Sequence, residues 1–230
     1  MQNQYVGDVG DFAKLGLLRA LAGICPLAKP RLKLRIVWYL TENSGNKDGR
    51  HREYLKRRNR SRYRGCDPDL YDALRDVSSK NRSVLDIERS GVLPNDTKYS
   101  KEEVRLDCDL LFLDPDNGLA PSGVGSESKR AVKYVFLDDI HGRIGTSQSV
   151  VLYQHLSRDG KAAKQARRYL AEVRKAFPSH EKPWAARFRR GTGRLFLVVP
   201  AKRHAKILHE RGELLLGSPW GAAKHFTRVK

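Results

Sequence analysis

The sequence predicts an α/β fold: a three-layer sandwich of helices around a mostly parallel sheet, closed by a C-terminal antiparallel hairpin. Three observations predict it. Apolar runs of strand length at 34–40 (LRIVWYL), 109–113 (DLLFL) and 149–153 (SVVLY) lack polar alternation, as strands buried on both faces do. Stretches with helical spacing of apolar residues separate them. Two more segments of strand length, 185–189 (AARFR) and 195–199 (LFLVV), flank a turn at Gly191 to Gly193, the pattern of a hairpin.

Taken in order, residues 11–22 form a helix, because Phe12, Leu15, Leu18 and Ala22 recur at helical spacing behind Asp11 as a cap. Pro26 and Pro30 break the chain before the first strand. Residues 50–62 predict a highly basic helix and 69–79 another, started by Asp67-Pro68. Residues 83–87 predict a short strand. Residues 131–144 contain a strand-like YVFL, but Val132, Val135, Phe136, Ile140 and Ile144 share one helical face, so a helix is expected. Residues 158–177 form a long basic amphipathic helix ended by Pro178, and 201–211 a last helix after Pro200. The expected organisation is one domain over residues 1–230 with a basic helical insertion around 50–82.

Composition limits the function classes. With 40% hydrophobic and 31% charged residues the chain is globular rather than disordered. No run of about 18 apolar residues occurs, which excludes a membrane-spanning helix. Asp8, Asp11 and Lys14 stand where an export signal needs an apolar stretch. Cys25, Cys66 and Cys108 form neither a disulfide framework nor a metal knuckle, so the expected compartment is the cytoplasm. The net charge of +19 gives a pI near 10.1, and self-repulsion of that size is relieved by a polyanion. Arg57, Arg58, Arg60, Arg189 and Arg190 lie in the densest basic clusters and are the expected contacts to RNA or DNA. A nucleic acid is preferred over acidic membrane lipid as that partner.

In open α/β sheets a ligand sits beyond the C-terminal strand ends. Here those ends carry Glu42 and Asn43, then Asp114, Asp116 and Asn117, then Gln154 and His155. The Asp114-Pro115-Asp116-Asn117-Gly118 run reads either as a turn or as a strand-end acid facing a crevice. Such an acid can accept from an amino group, or hold Mg²⁺ with Asp116 and Asp139. Asp138 and Asp139 fit a solvent-facing helix edge better than a site. His155 suits a general base or a phosphate contact, and equally a structural hydrogen bond. The opening segment places Tyr5, Gly7, Asp11 and Lys14 around the start of the first helix, more than capping requires.

At Tyr5, Gly7, Asp11 and Lys14 the chain resembles the large-subunit ribosomal RNA adenine-N6 methyltransferases, which carry an N-terminal Tyr and a Gly-x-x-x-Asp-x-x-Lys segment. Element order is similar too, and the resemblance implies a Rossmann-like, class I methyltransferase fold whose reversed strand is one arm of the hairpin. It implies S-adenosylmethionine as cofactor, with Tyr5, Gly7, Asp11, Lys14, Glu42 and Asn43 around it. It implies Asp114 as acceptor of the target amine; Asp116, Asn117 and His155 join the candidate catalytic set from the reading of the strand ends, not from the resemblance. The family's Asp-Pro-Pro-aromatic motif is matched only at Asp114 and Pro115: Asp116 replaces the second proline and Asn117 the ring that stacks on a flipped base. The loop after the first strand is also poorer in glycine than is usual. Two other readings remain open from the residues: a Mg²⁺-dependent nuclease or phosphoryl-transfer enzyme, for which Asp116 is well suited, and a nucleic-acid-binding module without catalysis.

Overall fold

A computed structural model of the chain describes residues 2–43, 51–79, 83–100, 107–157 and 160–229. The elements run α1 (Val9–Ala22), β1 (Leu34–Trp38), α2 (Arg60–Arg64), α3 (Pro68–Ser79), α4 (Val84–Arg89), β2 (Lys98–Ser100), β3 (Leu110–Asp114), β4 (Gly118–Leu119), β5 (Tyr134–Val135) and α5 (Leu137–His141). They continue with β6 (Ser149–His155), α6 (Ala162–Ala176), β7 (Trp184–Phe188), β8 (Arg194–Val199), α7 (Ala205–Gly217), α8 (Pro219–Ala222) and β9 (Phe226–Val229).

The fold is α/β, built on a seven-stranded sheet of order β2-β1-β3-β6-β8-β7-β9. The first four strands are parallel neighbours. β8 is antiparallel to both β6 and β7, so β6 and β7 run the same way with β8 reversed between them. β9 then pairs antiparallel with β7. Successive side chains of a strand point to opposite faces, and both faces are covered. Leu110 and Phe112 of β3 pack with α1, α3, α4, α7 and α8, whereas Leu111 and Leu113 pack with α5 and α6. β6 and β8 alternate in the same way. That double burial is why these strands read as unbroken apolar runs.

α1 begins two residues earlier than its periodicity predicts, because Asp8 rather than Asp11 caps it, accepting from the Gly10 and Asp11 backbone N–H groups. All fourteen of its residues are buried, so its one-sided pattern understates its position between the sheet and α3, α7 and α8. Arg19 on α1 is buried and paired to Asp67 at 2.7 Å, and it also donates to the Val92 carbonyl, which ties the start of α3 and the segment after α4 to the core. No helix among the described residues is long and apolar enough to cross a membrane.

Several expected elements are corrected. The basic stretch expected as one helix over 50–62 is two 3₁₀ turns, Glu53–Leu55 and Arg57–Asn59, followed by the short α2; residue 50 lies outside the described residues. The strand expected at 83–87 is α4, whose Ser83 and Asp86 form a capping box that outweighs the β-branched Val84 and Ile87. The helix expected at 131–144 is broken: Tyr134 and Val135 pair with Gly118 and Leu119 as a small parallel ribbon, and only Leu137–His141 is α-helical. Its local strand propensity wins because β4 supplies a partner. The long basic helix is α6, starting at Ala162; residues 158–159 lie outside the described residues.

Candidate active site

Asp114 ends β3, in register with Trp38 at the end of β1, and its carbonyl accepts from the Tyr39 N–H at 3.3 Å. Its side chain is fully buried. A carboxylate there is costly unless it is paired. The partner is Lys14 on the second turn of α1: Nζ donates to Asp114 Oδ2 at 2.9 Å and to Asp11 Oδ1 at 3.1 Å, and lies 5.3 Å from the centre of the Tyr153 ring. Asp114 Oδ1 is buried and has no hydrogen-bond partner among the described residues.

Asp11 turns its other oxygen back to the Gly7 N–H at 2.8 Å. Gly7 has φ +77°, a left-handed conformation that glycine adopts without a steric cost. Its carbonyl accepts from Tyr54 and Ser78, each at 2.9 Å, which pins the opening segment to the 51–79 segment. Arg194, the first residue of β8, stands 3.6 Å from the Asp8 carboxylate. Gly10 admits it, since a Cβ there would meet the guanidinium at 2.8 Å. Asp8, Asp11, Lys14, Asp114 and Arg194 thus form one buried set in which three carboxylates face two cations.

The electrostatics follow from that imbalance. Burial pushes the Asp8 carboxyl up to about 6, with Arg194 opposing the rise. Burial also raises Asp114, and Lys14 opposes it. For Lys14 burial alone would release the proton, but Asp114 and Asp11 together hold it above its ordinary range, so it stays charged. His155 is half-buried and shifted down by burial and by Arg194, so its ring is neutral at neutral pH.

The remaining expected residues fall into three groups. Asp116, Asn117 and His155 gather beside Asp114: Asp116 Oδ2 accepts from Gln2 at 3.3 Å and lies 4.0 Å from Lys133, and the His155 N–H donates to the Asn117 carbonyl at 2.9 Å. Asn43 accepts from the Gln4 N–H at 3.1 Å, while Tyr5 closes a 3₁₀ turn whose carbonyl accepts from the Asp8 N–H. The N-terminal segment therefore lies across the strand ends. Glu42 and Asp139 are exposed, and the structure does not join them to this set. No group of three or more His, Cys, Asp or Glu side chains among the described residues is placed to hold a metal ion, so Asp114, Asp116 and Asp139 are not gathered as a cation cage.

Among the arginines, Arg57 and Arg60 line a groove, Arg58 pairs with Glu53 at 2.9 Å, Arg189 is exposed, and Arg190 donates to His225 and to the Ala223 carbonyl. The sequence reading missed Asp8, Gly10, Tyr153 and Arg194. Asp8 was legible as a cap two residues before Gly10. Arg194 left one signal, a charged residue opening a wholly apolar strand. Comparison with protein-family models, with curated proteins and with solved structures finds no match.

Proposed function

We propose that the protein is a nucleic-acid-modifying enzyme of the S-adenosylmethionine-dependent methyltransferase type, acting at the C-terminal ends of β1, β3 and β6. The observation that carries this reading is the sheet: parallel β2-β1-β3-β6 continued by a reversed β8 inserted before β7. That pattern supports a three-layer, Rossmann-like arrangement of the class I methyltransferase kind, in which the acid after the strand beside β1 is the one that meets the substrate. Asp114 stands at that position.

The residues suit a cationic donor. The buried set has one more carboxylate than cation, and Asp114 keeps one oxygen without a hydrogen-bond partner among the described residues. The donor, when bound, supplies an electrophilic methyl group on a positively charged sulfur. Lys14 holds Oδ2 and opposes the burial that raises Asp114, which leaves Oδ1 to accept from an exocyclic amino group and orient its nitrogen. Asp11 fixes Lys14, and Gly7 and Tyr5 shape the segment that lies over the strand ends. Catalysis of this kind is positioning and electrostatics, with no covalent enzyme intermediate.

One observation favours a second reading, a binding module that kept the sheet without the chemistry: Asp114 is fully covered, and the N-terminal segment bonds to Asp116 and Asn43. Calorimetric titration with S-adenosylmethionine, then with Mg²⁺, separates the readings. The enzyme reading expects saturable donor binding that weakens in Lys14→Met. Absence of donor heat at millimolar concentration supports the module, and Mg²⁺ heat alone supports a metal enzyme.

A further inference from the structure

The basic insertion presents a groove lined by Arg57, Arg60, Ser61, Arg64, Gly65 and Pro68. Arg57, Arg60 and Arg64 follow one another at three and four residues, which puts them on one face of the turn that runs into α2. Arg64 is held at the groove wall by Asp72, whose carboxylate accepts from Nε at 3.0 Å and Nη2 at 2.8 Å. Arg57 and Arg60 are exposed and make no ion pair with an acidic side chain among the described residues. Arg58, one residue away, is engaged differently: it shares Glu53 with Lys56.

The groove is tied to the candidate active site. Arg52 donates to the Gln4 and Val6 carbonyls, and the Val9 N–H donates to the His51 carbonyl at 3.0 Å, so the insertion grips the segment lying over the strand ends. The buried Tyr63 ring of α2 stacks on His225 at 4.5 Å, and His225 accepts from Arg190, which ties α2 to the turn between β7 and β8.

We infer that Arg57 and Arg60, on the wall set by Arg64, hold consecutive phosphodiester groups of a nucleic-acid strand and lead that strand toward Asp114. The inference rests on the nucleic-acid reading above. Guanidinium forks match phosphate oxygens, and two forks with no acidic partner among the described residues, in a groove also lined by Gly65, admit a close backbone approach. General surface charge does not distinguish this groove, because α6 is also basic. There, however, Arg168 pairs with Glu172 and stacks on Tyr169, and the helix packs on the opposite face of the sheet.

The test is fluorescence anisotropy with a labelled single-stranded RNA over a salt series. It compares wild type, Arg57→Glu/Arg60→Glu, and a charge-matched control on α6, Arg167→Glu/Lys175→Glu. Two lost contacts at about 0.7 each reduce the log–log salt slope by about 1.4, and weaken binding about 25-fold at 0.1 M salt. The inference expects that change in the groove variant and little in the control. Arg57→Gln/Arg60→Gln repeats the measurement should the charge reversal disturb folding. Equal losses in both faces, no RNA binding by wild type, or capture by anionic phosphatidylglycerol vesicles in place of RNA would each overturn it. A groove-specific loss in a protein that gives no heat with S-adenosylmethionine would retain the groove and remove the methyltransferase reading.

Discussion

Lys14 Nζ lies 2.9 Å from Asp114 Oδ2, an ion pair between the first helix and the third strand that joins residues one hundred positions apart. It unites the opening segment and the strand-end acid in one buried set. Removing one member of a buried pair leaves an uncompensated charge and costs about 3–5 kcal/mol. Lys14 keeps Asp11, so Asp114→Asn is expected near the lower end, about 3 kcal/mol. Lys14→Met strands two acids and is expected to cost more. Urea unfolding of both single variants and the double variant checks this, and the double variant should cost less than the two singles added together.

Asp8 gives a pH signature. Its carboxyl is raised from 3.8 to about 6 in the folded protein, chiefly by burial. The folded state therefore keeps a proton that the unfolded chain has already released, and Asp8's contribution to stability falls as pH rises from about 4 to about 6. Asp8→Asn retains a cap for α1 and removes the titration. The stability of wild type relative to Asp8→Asn should decline across that window and stay level above it. A difference independent of pH would show that Asp8 is solvated rather than buried.

Gly7 combines a left-handed backbone with a close neighbour: a Cβ there would stand 2.3 Å from Ser78 Oγ. Gly7→Ala should cost more than about 1 kcal/mol. Adding Ser78→Ala removes the collision but not the backbone strain, so the pair should recover part of the loss. Full recovery would place the whole cost in the collision.

Gly16 tests the burial of α1 from its other side. A methyl group there would meet the Trp220 ring at 2.3 Å, within a cluster that includes Phe12 and Phe226. Overpacking of this kind costs about 1–3 kcal/mol. Gly16→Ala should lower the melting temperature, and Trp220→Phe in the same chain should restore part of it. Unchanged melting would mean that α8 is free to withdraw.

Much of the sheet was legible because double burial removes polar alternation: β1, β3 and β6 stood out as apolar runs, and the β7–β8 hairpin as two strands around a glycine turn. β2 and β9 did not, since Lys98–Ser100 and Phe226–Val229 are short, partly exposed edge strands. Ser83 and Asp86 overrode the strand propensity of 83–87 through a side-chain hydrogen-bond pattern. At the site, Gly7, Asp11, Lys14 and Asp114 were legible as unusual residues at a helix start and a strand end. Their direct pairing was not, because it depends on α1 packing across the end of β3. Arg194 was hidden for the same reason: its meaning comes from Asp8, which the sequence places far away.

The central claim is that Asp114 receives the amino group of a nucleic-acid base at a methyl-donor site. The direct measurement is transfer of a radiolabelled methyl group from S-adenosylmethionine to adenine-containing RNA, by wild type and by Asp114→Asn, each at a temperature where calorimetry shows it folded. Wild type should transfer label, and folded Asp114→Asn should bind the donor yet lose at least about a hundredfold in rate, the scale set by removing a group that acts mainly in the transition state. Label transferred equally by both proteins, or by neither across RNA and DNA substrates, would contradict the account.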